Sequence, residues 1–122
     1  METTPASDWA REALGVARLA APHLMPAEVC QVLRRRVARG WISAADASAG
    51  VSGLLELPAE LHPFEPFAER VWELRDTVSV YDAWYVALAE ALDVPFATLD
   101  TRLARAPGPR CAFLVPAVGG PV

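Results

Sequence analysis

The sequence predicts an α/β domain with a short, largely parallel sheet. Stretches with a helical spacing of apolar residues alternate with short apolar segments that are typical of strands. These segments lie too far apart for β-hairpins, which favours parallel strands joined by helices. The chain has 122 residues, of which 53% are hydrophobic, and this is enough for one packed core. We therefore expect one domain over residues 1–122, with flexible tails at 1–7 and 116–122.

The sequence pattern of the first half of the chain predicts a helix, then a strand, then two more helices. In order, these are a helix from Ser7 or Asp8 to about Leu19, a strand within Leu19–Leu24, a helix from Pro26 to about Arg39, and a helix from Ala44 to about Leu55. Proline is favoured in a first helical turn, and Gly40 suits the helix end before it. Ser43 and Asp46 have the spacing of a capping box for the third helix. Several prolines then indicate a connection, with a short extended piece around Leu61.

The second half predicts two helices and two strands. Phe64, Phe67, Ala68, Val71 and Leu74 have the spacing of one amphipathic helix. Ser79 can cap the next helix, whose predicted core face is Val80, Ala83, Trp84, Ala87, Leu88 and Ala91. A buried strand is predicted for Pro95–Leu99, with a short helix after it, and a last strand for Cys111–Val115.

Charge and composition limit the kinds of protein to which this chain can belong. The net charge is −4, which argues against a surface built throughout to coat nucleic acid, so any such contact must be local. Cys30 and Cys111 are far apart without metal-ligand spacing, and we expect both to be buried free thiols. The sequence has no signal-peptide pattern and no run long enough to span a membrane. We expect a cytoplasmic protein.

Three acidic residues lie where helices begin after, or beside, predicted strands. Glu28 follows the first strand, Asp82 lies in the first turn of the helix after Ser79, and Asp100 follows Pro95–Leu99. In a parallel sheet these positions meet at the carboxyl edge of the strands, where binding sites form. Three carboxylates there would suit Mg²⁺ or Mn²⁺. Each acid has an alternative explanation, because acids near helix N-termini also stabilise the helix.

The segments Tyr81–Glu90 (YDAWYVALAE) and Thr98–Leu103 (TLDTRL) resemble the C-terminal motifs of PIN-domain ribonucleases, in particular the VapC toxins of bacterial toxin–antitoxin pairs. The resemblance implies a three-layer α/β/α fold with Glu28, Asp82 and Asp100 as the catalytic metal ligands. It also implies hydrolysis of RNA by metal-activated water, an antitoxin partner and a homodimer. Thr98 could orient water or phosphate, or it could be an ordinary strand threonine.

The sequence departs from this family at its start. PIN domains usually open with a strand that ends in the first metal-binding aspartate, followed by a helix, and neither is found here. We expect the central N-terminal strand to be missing. Either the start codon is misplaced, or the chain is a degenerate relative that keeps an antitoxin-binding or dimerisation surface without catalysis. A plain α/β domain with three well-placed helix caps is a further alternative.

A dense basic cluster lies in the second predicted helix and consists of Arg34, Arg35, Arg36 and Arg39. These residues could hold RNA phosphates. They could also form a solvated face that complements the helix dipole. The cluster lies nearer the helix end opposite Glu28, which argues against direct contact with the cleavage site. Trp72, Trp84, Phe67 and Tyr85 have helical spacings, and we expect core or dimer contacts from them.

Overall fold

A computed structural model describes residues 19–115 of the chain. These residues belong to two compact units: Leu19–His62, here the first unit, and residues 63–115, here the second unit. The predictions for residues 1–18, including the helix from Ser7 or Asp8 and the missing opening strand, lie outside the described residues, as does the tail at 116–122. None of the described helices has the length and apolarity that crossing a membrane requires.

The first unit has the order strand, two helices, strand. It comprises β1 (Leu19–Pro22), α1 (Met25–Ala38), α2 (Ala44–Glu56) and β2 (Ala59–His62). The two strands pair in parallel, from Leu19 opposite Ala59 to Pro22 opposite His62. Pro26 lies in the first turn of α1, and the Ser43 hydroxyl caps α2 by accepting the backbone N–H of Asp46 at 3.0 Å. These local predictions are confirmed, and so is the extended piece around Leu61.

The second unit contains three helices and a second parallel pair of strands. A 3₁₀ turn (Glu65–Phe67) leads into α3 (Ala68–Glu73), followed by α4 (Val80–Leu92), β3 (Phe96–Ala97), α5 (Thr101–Ala104) and β4 (Phe113–Leu114). Phe96 lies opposite Phe113, and Ala97 lies opposite Leu114. Both strand pairs that the structure describes are therefore parallel, as the sequence predicts.

The core of the second unit forms around α4. Its buried members are Val71, Leu74, Val78, Ala83, Val86, Ala87 and Leu103. Aromatic rings extend it, because Phe96 stacks on Tyr85 at 5.3 Å between centroids and lies 5.6 Å from Phe113. Offset ring pairs of this kind add to the stabilisation from buried area.

Three predictions about this unit are wrong in part. The segment Phe64–Leu74 is not one helix, because a 3₁₀ turn containing Pro66 precedes the six-residue α3. On α4, Val80 is 40% exposed, whereas Val86 is fully buried. Ala83, Ala87 and Leu88 are buried as predicted. The apolar residues of α4 surround most of the helix, so their spacing did not identify Val86 as a core residue. Trp72 is 62% exposed, which excludes the core alternative predicted for it, and its dimer contact stays a prediction.

The predicted buried strand Pro95–Leu99 is also wrong in length and burial. Only Phe96 and Ala97 form a strand, and Leu99 is 63% exposed. Within the described residues β3 pairs with β4 alone, and a short strand with one neighbour leaves much of its surface uncovered. Similarly, the predicted strand Cys111–Val115 is reduced to Phe113–Leu114.

Candidate active site

The three candidate acids all lie at helix N-termini, as the sequence predicts. Glu28 is in the first turn of α1, and Asp82 is in the first turn of α4. Asp100 is the N-cap of α5, directly after β3. Glu28 belongs to the first unit, whereas Asp82 and Asp100 belong to the second. Their assembly into one metal site stays a prediction.

Asp82 combines partial burial with a carboxylate that has no partner among residues 19–115. The Ser79 hydroxyl accepts the backbone N–H of Asp82 at 3.2 Å, which caps α4 and fixes the position of the residue. The side chain is half-buried, and none of residues 19–115 donates a hydrogen bond or offers a cation to its carboxylate. Because a buried charge is costly unless it is paired, such a carboxylate is suited to hold a cation.

Asp100 uses one of its two carboxylate oxygens to cap α5. Its Oδ1 accepts the backbone N–H groups of Arg102 at 2.9 Å and Leu103 at 3.2 Å. Capping therefore explains part of its position, as the alternative interpretation expects. The Oδ2 atom makes no hydrogen bond within the described residues and is available for a cation.

Thr98 supports the backbone of Asp100. Its hydroxyl oxygen accepts the Asp100 N–H at 3.0 Å, while its own N–H donates to the carbonyl of Leu114 at 3.0 Å. Thr98 therefore links β3, β4 and the cap of α5. The sequence did not predict this local bond, although a threonine two residues before an aspartate is a typical signal for it. Its predicted contact with water or phosphate stays a prediction.

Glu28 lies in the first turn of α1, whose N-terminus has no side-chain cap. Leu24 is the N-cap residue, and its carbonyl accepts the Glu28 N–H at 3.1 Å. The glutamate is half-buried and lies next to the positive end of the helix dipole.

The donor chemistry of these residues fits a hard divalent cation, because all three supply carboxylate oxygens. Among residues 19–115, no three His, Cys, Asp or Glu side chains are grouped closely enough to hold a metal ion. The fit therefore rests on the type of donor and on the available oxygens of Asp82 and Asp100.

The sequence missed an ion-pair network centred on Glu90. The Arg70 guanidinium donates from Nε to Glu90 Oε1 at 2.8 Å and from Nη2 to Oε2 at 3.0 Å. The backbone N–H of Arg110 also donates to Oε2, at 2.7 Å, and Arg70 Nη2 donates to the Gly108 carbonyl at 2.8 Å. The hydrogen bond from Arg70 lowers the pKa of Glu90, and the same bond raises the pKa of Arg70. The network joins α3, α4 and the loop before β4.

An open cleft of about 380 Å³ lies beside this network. It is lined by Ala89, Glu90, Asp93, Val94, Pro95, Arg110, Cys111 and Ala112, and it includes neither Asp82 nor Asp100. Burial raises the pKa of the Cys111 thiol, so this cysteine is a poor nucleophile at neutral pH. The cleft does not compete with the acids as a candidate active site.

Comparison with known proteins identifies relatives over most of the chain. Residues 1–109 match the PIN domain family. Ribonuclease VapC1 of Mycobacterium tuberculosis is 50% identical over 92 residues, which cover 75% of this chain and 69% of that protein. VapC ribonuclease Mb0985 of Mycobacterium bovis is 38% identical over 106 residues, covering 87% and 84%. Ribonuclease VapC12 of M. tuberculosis is 40% identical over 108 residues, covering 88% and 84%.

Proposed function

Because the chain belongs to the PIN-domain family of VapC ribonucleases, we propose that it is a metal-dependent endoribonuclease, the toxin of a toxin–antitoxin pair. Its substrate is RNA, and its partner is a cognate antitoxin protein. The matched region, residues 1–109, includes Glu28, Asp82 and Asp100.

We assign the metal-binding role to these three acids. Asp82 carries the assignment, because it is a half-buried carboxylate for which the described residues provide no partner. Asp100 contributes Oδ2 while its Oδ1 keeps α5 capped. Glu28 adds a third carboxylate from the first turn of α1. The chemistry supports Mg²⁺ or Mn²⁺, since both prefer oxygen ligands. A bound cation of this kind activates water and offsets the negative charge that develops on the phosphodiester.

The carboxylates of these three acids would hold the cation and fix its position. Asp82 is held by the cap of α4, and Asp100 is held by the Thr98 hydroxyl and by its own cap. Groups that are fixed before the substrate binds need little reorganisation during the reaction. None of the steps needs a covalent nucleophile.

Homodimerisation and antitoxin binding are assigned to the apolar helices of the first unit. Leu55 of α2 is 75% exposed, and Leu57 just after it is 38% exposed. Exposed apolar groups of this size are typical of surfaces that bind another protein. We place the complex in the cytoplasm, as the sequence predicts.

A cleavage assay tests the proposed activity. A 5′-labelled, unstructured RNA is incubated with the 122-residue chain in Mg²⁺, in Mn²⁺ or in EDTA. We expect cleavage with either metal and none in EDTA. The triple variant Glu28→Gln, Asp82→Asn, Asp100→Asn should lose at least about a hundredfold in rate, because carboxylates that stabilise developing charge contribute this much.

The matched control is Asp46→Asn, which removes an acid from the equivalent position of α2. The Ser43 hydroxyl accepts the Asp46 N–H as the Ser79 hydroxyl accepts the Asp82 N–H, so this variant makes the same local change at a residue that is not assigned to the metal. It should cleave at the wild-type rate. A folded wild-type chain that cleaves no RNA with either metal would favour the alternative of a binding module without catalysis.

A further inference from the structure

One face of α1 carries the candidate metal ligand and two arginines of the basic cluster. Glu28, Val32, Arg35 and Arg39 follow one another at spacings of four, three and four residues, which places them in one stripe along the helix. Val29, Leu33 and Val37 lie on the opposite side and are half-buried. The stripe is the solvent-facing side of α1 beyond its first turn, since Val32, Arg35 and Arg39 are all exposed.

The positive charge of this face is not neutralised by any of residues 19–115. Arg34, Arg35, Arg36 and Arg39 are all exposed, and within the described part of the chain none of them forms an ion pair. The whole chain carries a net charge of −4, so this local excess runs against the overall charge. A helix dipole favours cations near its C-terminal end, but it does not require four of them in six residues.

An exposed tryptophan lies at the end of the stripe. Trp41 is 66% exposed, and the Arg39 guanidinium lies 4.9 Å from the centroid of its ring. Arg39 thus holds one face of the indole through a cation–π contact and supplies charge next to it. A large aromatic ring beside uncompensated arginines is the combination that binds single-stranded nucleic acid, through stacking of a base and contacts to phosphates.

We propose that Arg35, Arg39 and Trp41 bind the RNA strand at a distance from the cleaved bond. The arginines contact phosphates, and Trp41 stacks on a base. This inference rests on the proposed function and adds a second contact region for the same substrate. Arg39 lies about 16 Å along the helix axis from Glu28, at 1.5 Å per residue. The contact therefore serves only RNA that extends several nucleotides beyond the cleavage site.

Direct binding tests the proposal without relying on catalysis. A fluorescein-labelled, single-stranded RNA is titrated with the full chain in EDTA, and its anisotropy is followed at several salt concentrations. Arg35→Ala/Arg39→Ala should weaken binding at least tenfold and should reduce the slope of log K against log salt by about 1.4, since each lost phosphate contact on a single strand contributes about 0.7. Trp41→Ala should weaken binding about tenfold, whereas Trp41→Phe, which keeps a stacking ring, should bind nearly as wild type.

Arg34→Ala is the matched control. Arg34 is exposed and carries the same charge on the same helix, but it lies off the stripe, about a third of a turn from Arg35. The RNA affinity of Arg34→Ala should fall less than threefold. The single variant Arg35→Ala is measured beside it, and an equal loss of RNA affinity in the two single variants would mean that the effect is diffuse electrostatics, which would overturn the proposal. Circular dichroism confirms that each variant is folded.

A cleavage experiment separates this proposal from the proposed function. With long RNA, Arg35→Ala/Arg39→Ala should raise KM and leave kcat nearly unchanged, and with a tetranucleotide it should change neither. Cleavage by the wild type with unchanged KM in the variant would overturn the distal contact alone. Unchanged RNA affinity in both Arg35→Ala/Arg39→Ala and Trp41→Ala would also overturn it and would point to an acidic protein segment as the ligand of these residues. Failure of the wild type to cleave RNA, with binding that still depends on the stripe, would count against the nuclease alone.

Discussion

Two aspartates of this chain have the same local position and different surroundings. Asp46 and Asp82 each lie three residues after a serine whose hydroxyl accepts their backbone N–H. Capping therefore accounts for an acid in each first turn. It does not account for the difference in burial, because Asp46 is exposed and Asp82 is half-buried. The burial of Asp82 is the residue-level observation that favours a bound cation.

Asp100 has two roles that a pair of substitutions can separate. Asparagine keeps a side-chain oxygen that can cap α5, so Asp100→Asn should change the free energy of unfolding by only a few tenths of a kcal/mol. Alanine removes the cap of two N–H groups and should cost about 1 kcal/mol. Both variants remove the carboxylate, and both should lose RNA cleavage. Thermal denaturation and the cleavage assay measure the two roles. Wild-type cleavage by Asp100→Asn would leave Asp100 as a cap only.

At the scale of elements, the Arg70–Glu90 pair holds the second unit together. The side chains are only 20% and 16% exposed, and Glu90 also accepts the backbone N–H of Arg110. Gly108, whose carbonyl accepts from Arg70, has a φ of +109°, and an added Cβ there would lie 3.0 Å from Leu74 Cδ2. The loop before β4 is thus fixed by a half-buried charge pair and by a glycine that other residues replace poorly.

Glu90→Gln should destabilise the fold by about 2 kcal/mol at neutral pH, because it leaves the half-buried Arg70 without the more buried of its two charged partners. The folded pKa of Glu90 lies below its ordinary value of 4.5. Its stabilising contribution is therefore complete above that value and is lost as the pH falls through the lower folded pKa. Denaturant unfolding of the wild type and of Glu90→Gln from pH 7 to pH 3 should show that the difference in their free energies of unfolding shrinks toward acid. A difference that stays constant over this range would contradict the assignment.

Glu73→Gln is the control for this prediction. Glu73 also pairs with Arg70, through Nη1 at 3.1 Å, but its side chain is 54% exposed. Exposed ion pairs contribute little, so we expect a change within about 0.5 kcal/mol.

At the scale of the whole molecule, the sequence predicted local features well. Pro26 in the first turn of α1, the serine caps of α2 and α4, and Asp100 at the exit of a strand all follow from interactions within a few residues. The parallel pairing also followed, since the spacing of strands and helices excludes hairpins. The family resemblance was carried by two short motifs and is confirmed by relatives of up to 50% identity.

Features that depend on distant neighbours could not be predicted in this way. The Arg70–Glu90 pair joins residues 20 positions apart on different helices, and no periodic pattern marks it. The exposure of Leu99 depends on which strands border β3. The burial of Val86 and the exposure of Val80 depend on what lies around α4, which is apolar on most sides. Likewise, the sequence identified the arginine cluster but could not decide between a solvated face and a binding surface. Within the part of the chain that the structure describes, these arginines form no ion pairs, and this together with the cation–π contact between Arg39 and Trp41 favours the binding surface.

The most direct test of the central claim is calorimetric titration of Mn²⁺ into the full 122-residue chain. The comparison includes wild type, Asp82→Asn, Asp46→Asn and the triple variant of Glu28, Asp82 and Asp100. We predict saturable binding by wild type and by Asp46→Asn, and no measurable binding by the other two. Undiminished binding by Asp82→Asn, or no binding by a folded wild-type chain, would contradict the claim that these acids form a metal site.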